Sequence, residues 1–217
     1  MSKKQNNIGL LRTFKPKTQN QANYIRAIIE NQIIIAIGPP GVGKTAIATA
    51  IGCEYLYYNK VDKLIITRPV VEAGKSIGAL PGDISLKTLP YMIPIFDEMY
   101  LSVGKGLTQQ WIHDNKVEIV PLNFMRGRNF HNSFIILDEA SNATLSELKM
   151  FLSRLGMNSK MIITGDLKQS DLQEKDQGGL KHIATVLDNI DEISINKLYD
   201  QDIIRNPLLA KICAKLN

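Results

Sequence analysis

Cysteine is nearly missing from this chain: Cys53 and Cys213 stand far apart, with no CxxC pairing and no histidine beside either. That excludes a disulfide framework and a cysteine-based zinc site, and it fits a reducing compartment. Aromatic residues are scarce at 6%. No run approaches the roughly 18 apolar residues of a membrane span, and the opening MSKKQNNIGLLRTFKPK is polar, without the apolar h-region of a secretory signal. A cytoplasmic protein that neither spans a membrane nor is secreted is therefore expected. Internal repeats and low-complexity tracts are also lacking, which sets repeat arrays aside.

What is present suits one globular domain. Across 217 residues, 44% are apolar and 22% charged, enough to bury a sizeable core within the size range of a single α/β unit. The formal net charge of +5 favours polyanionic partners without identifying one. Short apolar runs rich in β-formers recur at Ile33–Ile37, Leu64–Thr67, Val117–Pro121, Phe134–Leu137, Met161–Thr164 and Ile193–Leu198. Most are continuous rather than alternating, as strands covered on both faces require. Helix-like stretches lie between several of them, at Thr45–Tyr57, Leu145–Leu155 and Gly179–Val186, with Gln21–Glu30 before the first. This order predicts an α/β fold with a mostly parallel sheet wrapped by helices. The stretch from Val70 to Lys116, with Pro81, Pro90 and Pro94, reads as one long structured insertion carrying a short helix near Ile95–Leu101. Residues 1–17 read as an N-terminal arm and residues 18–217 as the domain.

Directly after the first strand comes Gly38-Pro39-Pro40-Gly41-Val42-Gly43-Lys44-Thr45, followed by Ala46. It matches the G-x-x-x-x-G-K-[ST] phosphate loop in full. Its glycines let successive backbone N–H groups face a phosphate chain, and the helix that follows adds its partial positive charge. Lys44 is expected to reach the β- and γ-phosphates, and the Thr45 hydroxyl to be a magnesium ligand. Later, Phe134-Ile135-Ile136-Leu137-Asp138-Glu139 ends an apolar strand with two adjacent carboxylates. Asp138 sits where a Walker-B aspartate holds magnesium, and Glu139 where a base accepts a proton from the attacking water or orients it. At a strand exit the backbone turns, so that both side chains face the same ligand.

Four further groups carry two readings each. Thr164, Asp166 and Gln169 lie at the carboxyl end of the strand Met161–Thr164, either sensing a γ-phosphate at the carboxyl edge of the sheet or forming an Asx-type turn. Gln21 either pairs with adenine through its amide or merely follows a helix cap at Thr18 or Asn20. Arg205 is either an arginine finger on the transferring phosphoryl group or a surface ion pair. The basic pair Arg126 and Arg128 likewise holds phosphates of nucleotide or RNA, or only decorates the surface.

Taken together, these residues resemble the PhoH family, P-loop ATPases whose core is related to superfamily 1 helicases. The resemblance runs from about Thr18 to Ile212. Besides the phosphate loop and Asp138-Glu139-Ala140, it rests on Thr67-Arg68-Pro69-Val70-Val71-Glu72-Ala73-Gly74, Leu80-Pro81-Gly82-Asp83, Pro90-Tyr91, Met125-Arg126-Gly127-Arg128, Thr164-Gly165-Asp166 with Gln169, and Arg205. It implies a three-layer, RecA-like P-loop NTPase that uses ATP and Mg2+. By the same resemblance, Gln21 takes the adenine-reading role and Arg205 the finger role. Ser141 stands where the family usually has Gln, Lys75 where Glu is typical and Asn206 where His is frequent. None of the three removes a group that ATP binding needs.

A helicase of superfamily 1 closes its site between two tandem cores, and this chain carries one. The second half is therefore expected from another subunit, in a homo-oligomer that by resemblance to ring-forming ATPases is a hexamer. Two functions stay open: an oligomeric ATPase that remodels RNA or other single-stranded nucleic acid, and a nucleotide-gated assembly or binding module with slow turnover. A small-molecule kinase is disfavoured, because a glutamate beside Asp138 suits water activation better than transfer to a metabolite.

Overall fold

The computed structural model describes residues 11–69 and 84–204, of which 84–92 by their backbone alone. Twelve regular elements follow in chain order: α1 (Gln19–Glu30), β1 (Ile33–Ile37), α2 (Lys44–Tyr57), β2 (Lys63–Thr67), α3 (Ile84–Val103), α4 (Lys105–His113), β3 (Val117–Ile119), β4 (Ser133–Leu137), α5 (Leu145–Leu152), β5 (Lys160–Gly165), α6 (Gly179–Val186) and β6 (Ile193–Lys197). The six strands form one sheet in the order β3-β2-β4-β5-β1-β6, and all its pairings are parallel. Every residue of β4 is buried, as its unbroken apolar run demands of a central parallel strand.

Alternation along the strands feeds two cores. Ile34 and Ala36 of β1, Leu64 and Ile66 of β2, and Phe134 and Ile136 of β4 join the helices α1 to α4 on one face. Their neighbours Ile35, Ile37, Ile65, Ile135 and Leu137 join α5 and α6 on the other. The result is helix, sheet, helix: the predicted three-layer α/β arrangement.

The predicted insertion needs correcting. Instead of one short helix near Ile95–Leu101, the chain forms α3, 20 residues long, and then α4. The helix runs on through Pro94 because Ile95, Met99 and Val103, spaced one turn apart, are all fully buried, and α3 packs on α2. That burial outweighs the backbone bonds lost at Pro90 and Pro94. Gly104, at φ 80, ends α3. The sequence hid α4 because only Thr108 and Trp111 of its nine residues are buried.

The end of α5 also moves, from Leu155 to Leu152. Beyond it the chain leaves the helix to bond Phe130, whose N–H donates to Arg154 O and whose carbonyl accepts from Gly156 N–H. The arm reading fails for residues 11–17, and residues 1–10 lie outside the described residues: Leu11 and Phe14 pack against the core, and the Arg12 N–H donates to Ser102 O on α3 at 2.7 Å. Residues 11–17 therefore belong to the folded unit. Among the described residues, no helix is long and apolar enough to cross a membrane.

Candidate functional site

At the carboxyl edge of the sheet, β1 hands the chain to α2 through the glycine-rich loop. Gly41 at φ 87 and Gly43 at φ 92 take left-handed backbone, which a side chain would strain; only that curl brings the loop back to the start of α2. Lys44 begins the helix, and its Nζ donates to Gly38 O at 2.6 Å and Pro39 O at 2.9 Å. Burial lowers its pKa, while Glu139, Asp166 and Asp138 oppose that shift. Two carbonyls and the charges of three carboxylates therefore hold one ammonium at the mouth of the loop.

Across from it, β4 delivers the two carboxylates. Asp138 is 1% exposed, yet its oxygens are fully engaged. Oδ1 accepts from the Thr45 hydroxyl and the Thr164 hydroxyl, both at 2.6 Å. Oδ2 accepts from Arg68 Nε at 2.8 Å and Nη2 at 2.5 Å. Thr164 reaches it because β5 lies between β1 and β4 in the sheet.

The next residue, Glu139, has left-handed backbone at φ 58 and ψ 40. This is uncommon for a residue with a side chain, and it breaks the strand alternation so that both carboxylates border one cleft. That cleft holds about 530 Å3 and is lined by Lys44, Thr45, Asp138, Glu139 and Thr164, and also by Gln21. Surrounding protein and then the Asp138 charge raise the Glu139 pKa above the ordinary carboxylate range, with Arg68 and Lys44 pulling the other way.

The remaining predicted residues divide. Of the loop residues, Pro40, Gly41, Gly43 and Ala46 border the cleft; Val42 is fully buried, and its carbonyl accepts from Gln21 Nε2 at 3.0 Å. Gln21 is itself buried, and its Oε1 accepts from Lys17 N–H at 2.9 Å. The Thr18 cap is present too, accepting from Gln21 N–H. Gln169 is exposed and borders a neighbouring cleft of about 380 Å3, shared with Arg68, Glu139 and Asn142. The Asx-type turn is also there, with Asp166 Oδ1 accepting from Lys168 N–H at 2.9 Å.

Ser141 ties the loop after β4 to the loop after β5: its Oγ accepts from Asp166 N–H at 3.4 Å, and its carbonyl from the Ser170 hydroxyl at 2.8 Å. Arg128 forms a forked ion pair with Glu118 and lies over the Phe130 ring, so it is an architectural residue rather than a phosphate holder. Arg205, Lys75 and Asn206 lie outside the described residues.

The family model described as PhoH-like protein matches residues 13–217. The chain belongs to the PhoH family. It is 42% identical over 201 residues to the PhoH-like protein of Bacillus subtilis (strain 168), covering 93% of this chain and 63% of that one. It is equally similar to the PhoH-like protein of Mycobacterium tuberculosis (strain H37Rv), of which it covers 57%. With Protein PhoH of Escherichia coli (strain K12) it shares 39% identity over 194 residues, covering 88% of this chain and 55% of that one. The chain thus spans less than two thirds of the length of these relatives. Among solved structures, it is similar at 13% identity and a TM-score of 0.42 to the Pif1 helicase from Candida albicans, covering 86% of this chain and 41% of that one.

Membership, with the complete phosphate-loop motif at the carboxyl end of β1, supports a P-loop NTPase-type domain. Sequence reasoning nevertheless missed several residues of this PhoH-family cleft. Phe14, Lys15 and Lys17 line it from the segment read as an arm, and Glu98 lines it from α3. Burial raises the Glu98 pKa, with Asp97 and Asp138 adding to the shift. Most consequential is Arg68, part of the stretch Thr67–Gly74 that carries the resemblance but given no role at the site by sequence reasoning. A cation at the carboxyl end of a buried parallel strand was a usable signal, since that edge is where such sheets place ligands.

Proposed function

We propose that this PhoH-family chain is a magnesium-dependent ATPase that assembles as a homo-oligomeric ring, a hexamer, and couples hydrolysis to remodelling RNA or other single-stranded nucleic acid. One juxtaposition carries the hydrolytic part: Lys44 and Thr45 of the phosphate loop share a cleft with Asp138, anchored by four donors, and Glu139, exposed and more basic than an ordinary carboxylate. Thr45 and Asp138 are hard oxygen donors 2.6 Å apart, which suits magnesium held by few protein ligands and completed by water and phosphate. The metal supplies charge neutralisation on the phosphates. Lys44 binds the β- and γ-phosphates, the loop N–H groups orient them, and Glu139 accepts the proton of the attacking water.

At the base end, Phe14 and Ile204 offer apolar surface. Gln21 reads adenine there with the lone pair that its Lys17 contact leaves on Oε1 and with the amide hydrogen that now donates, at 3.5 Å, to the Asp202 carbonyl and must leave it.

The nucleic-acid part draws support from the net charge of +5 and from Arg126, exposed beside Phe124. Single-stranded RNA or DNA is expected to raise ATP turnover several-fold, read by phosphate release against nucleic-acid concentration. Turnover that ignores both, with neither bound, would leave the nucleotide-gated assembly module as the better account.

Arg205 is proposed as the finger supplied to a neighbouring subunit. Mixing Arg205→Ala chains, which keep an intact phosphate loop, with Lys44→Ala chains, which keep the finger, is then expected to restore part of the turnover that each lacks alone. No rescue in verified mixed assemblies removes the shared-site mechanism and leaves the ATPase reading standing.

A further inference from the structure

We propose that Arg68 reads the γ-phosphate within its own chain, exchanging the Asp138 carboxylate for the terminal phosphate when a magnesium nucleoside triphosphate fills the cleft. This rests on the nucleotide reading above and gives that cleft a residue that tells triphosphate from diphosphate.

The placement follows from the sheet. In the β2–β4 ladder Thr67 lies opposite Leu137, and the Asp138 N–H donates to Thr67 O at 2.9 Å. Arg68 and Asp138 therefore leave the sheet side by side. The Arg68 carbonyl accepts from Leu122 N–H at 3.1 Å, so the backbone is held and the side chain is the moving part.

Asp138 has no acceptor capacity left: two hydroxyls occupy Oδ1 and the guanidinium fork occupies Oδ2. A carboxylate offers about four lone-pair sites. Thr45 and Asp138 are also the pair proposed to hold magnesium. A divalent cation and a guanidinium on one carboxylate repel each other strongly in a partly desolvated site, so one of them yields.

Arg68 is the side chain in position to do so. Its side chain is 16% exposed against 2% for Asp138, and it borders both the phosphate cleft and the neighbouring cleft that holds Gln169. The planar fork that now grips Oδ2 suits two oxygens of a terminal phosphate equally well. A diphosphate lacks that group, so with ADP the guanidinium gives up Asp138 with no terminal phosphate to take its place.

The two ligands should therefore respond differently to loss of Arg68. Binding of ADP and of a non-hydrolysable ATP analogue, each with magnesium, is measured by calorimetry on wild type, Arg68→Ala, Arg68→Lys and Lys44→Ala, with thermal melts to verify folding. Arg68→Ala is expected to weaken the triphosphate analogue about ten- to a hundred-fold, the worth of a lost charged contact, while ADP affinity stays level or tightens. Arg68→Lys, a charge without the fork, is expected to fall between wild type and Ala for the triphosphate. Equal weakening of both ligands would make Arg68 merely structural and overturn the proposal, as would an unchanged triphosphate affinity. Lys44→Ala binding both ligands like wild type would overturn the phosphate-loop reading itself, an outcome distinct from either.

Discussion

Glu139→Gln is expected to bind ATP as wild type does and to lose turnover by about a hundred- to ten-thousand-fold, the range contributed by a positioned general base. The amide keeps the shape and the left-handed backbone at this position but cannot accept the proton of the attacking water. Glu139 makes no hydrogen bond to the phosphate loop, whereas Lys44 and Thr45 belong to it. Lys44→Ala is therefore expected to fail one step earlier, losing most nucleotide affinity. Chelating magnesium should stop wild-type turnover in the same way as Glu139→Gln, by a different cause: the oxygen pair Thr45 and Asp138 then has no cation to present to the phosphates. Equilibrium binding and steady-state phosphate release on the same preparations separate these outcomes. Normal hydrolysis by Glu139→Gln would assign the base elsewhere.

Phe134→Ala is expected to be the most damaging single change to stability considered, lowering it by about 3–5 kcal/mol. In a domain of this size that corresponds to a fall in Tm of roughly 6–20 °C. Phe134 is fully buried and meets Tyr55 of α2 in a tilted ring contact at 5.2 Å between centroids. Beneath it α2 comes so close that a Cβ on Gly52 would lie 3.0 Å from Phe134 Cδ1 and 2.8 Å from Leu64 Cδ1. The ring is thus the surface on which the phosphate-loop helix is seated, and an alanine leaves a cavity between two rigid elements that cannot both collapse into it. Phe134→Leu, which fills most of the volume, is expected to lose much less. Calorimetric melts of the two variants check this, and a Phe134→Ala melt within a degree of wild type would mean that α2 is held mainly by other contacts.

The local patterns were legible where one short stretch of chain determines its own conformation. The phosphate loop needs two left-handed glycines within a few residues, and Gly41 and Gly43 supply them. The β4 run is apolar on both faces because both are covered, and the two carboxylates stand at its exit. Periodicity failed first in α3 and α4, where prolines and a mostly polar surface masked helices recognisable only by what they bury. It failed again at residues 11–17, whose apolar pair Leu11 and Phe14 has meaning only against a core that other segments build.

Sequence alone therefore pointed to the groups proposed for phosphate and proton chemistry: Lys44, Thr45, Asp138 and Glu139 lie in two motifs whose internal spacing is local. Tertiary structure alone decided what surrounds them. The strand order β3-β2-β4-β5-β1-β6 puts Thr164 and Arg68 on either side of one buried carboxylate, and it leaves Gln169 in the adjoining cleft. Arg68 and Asp138 are 70 residues apart in the chain. A contact between them depends on which strands pair and in what register, and side-chain pattern within either strand carries no record of its neighbour.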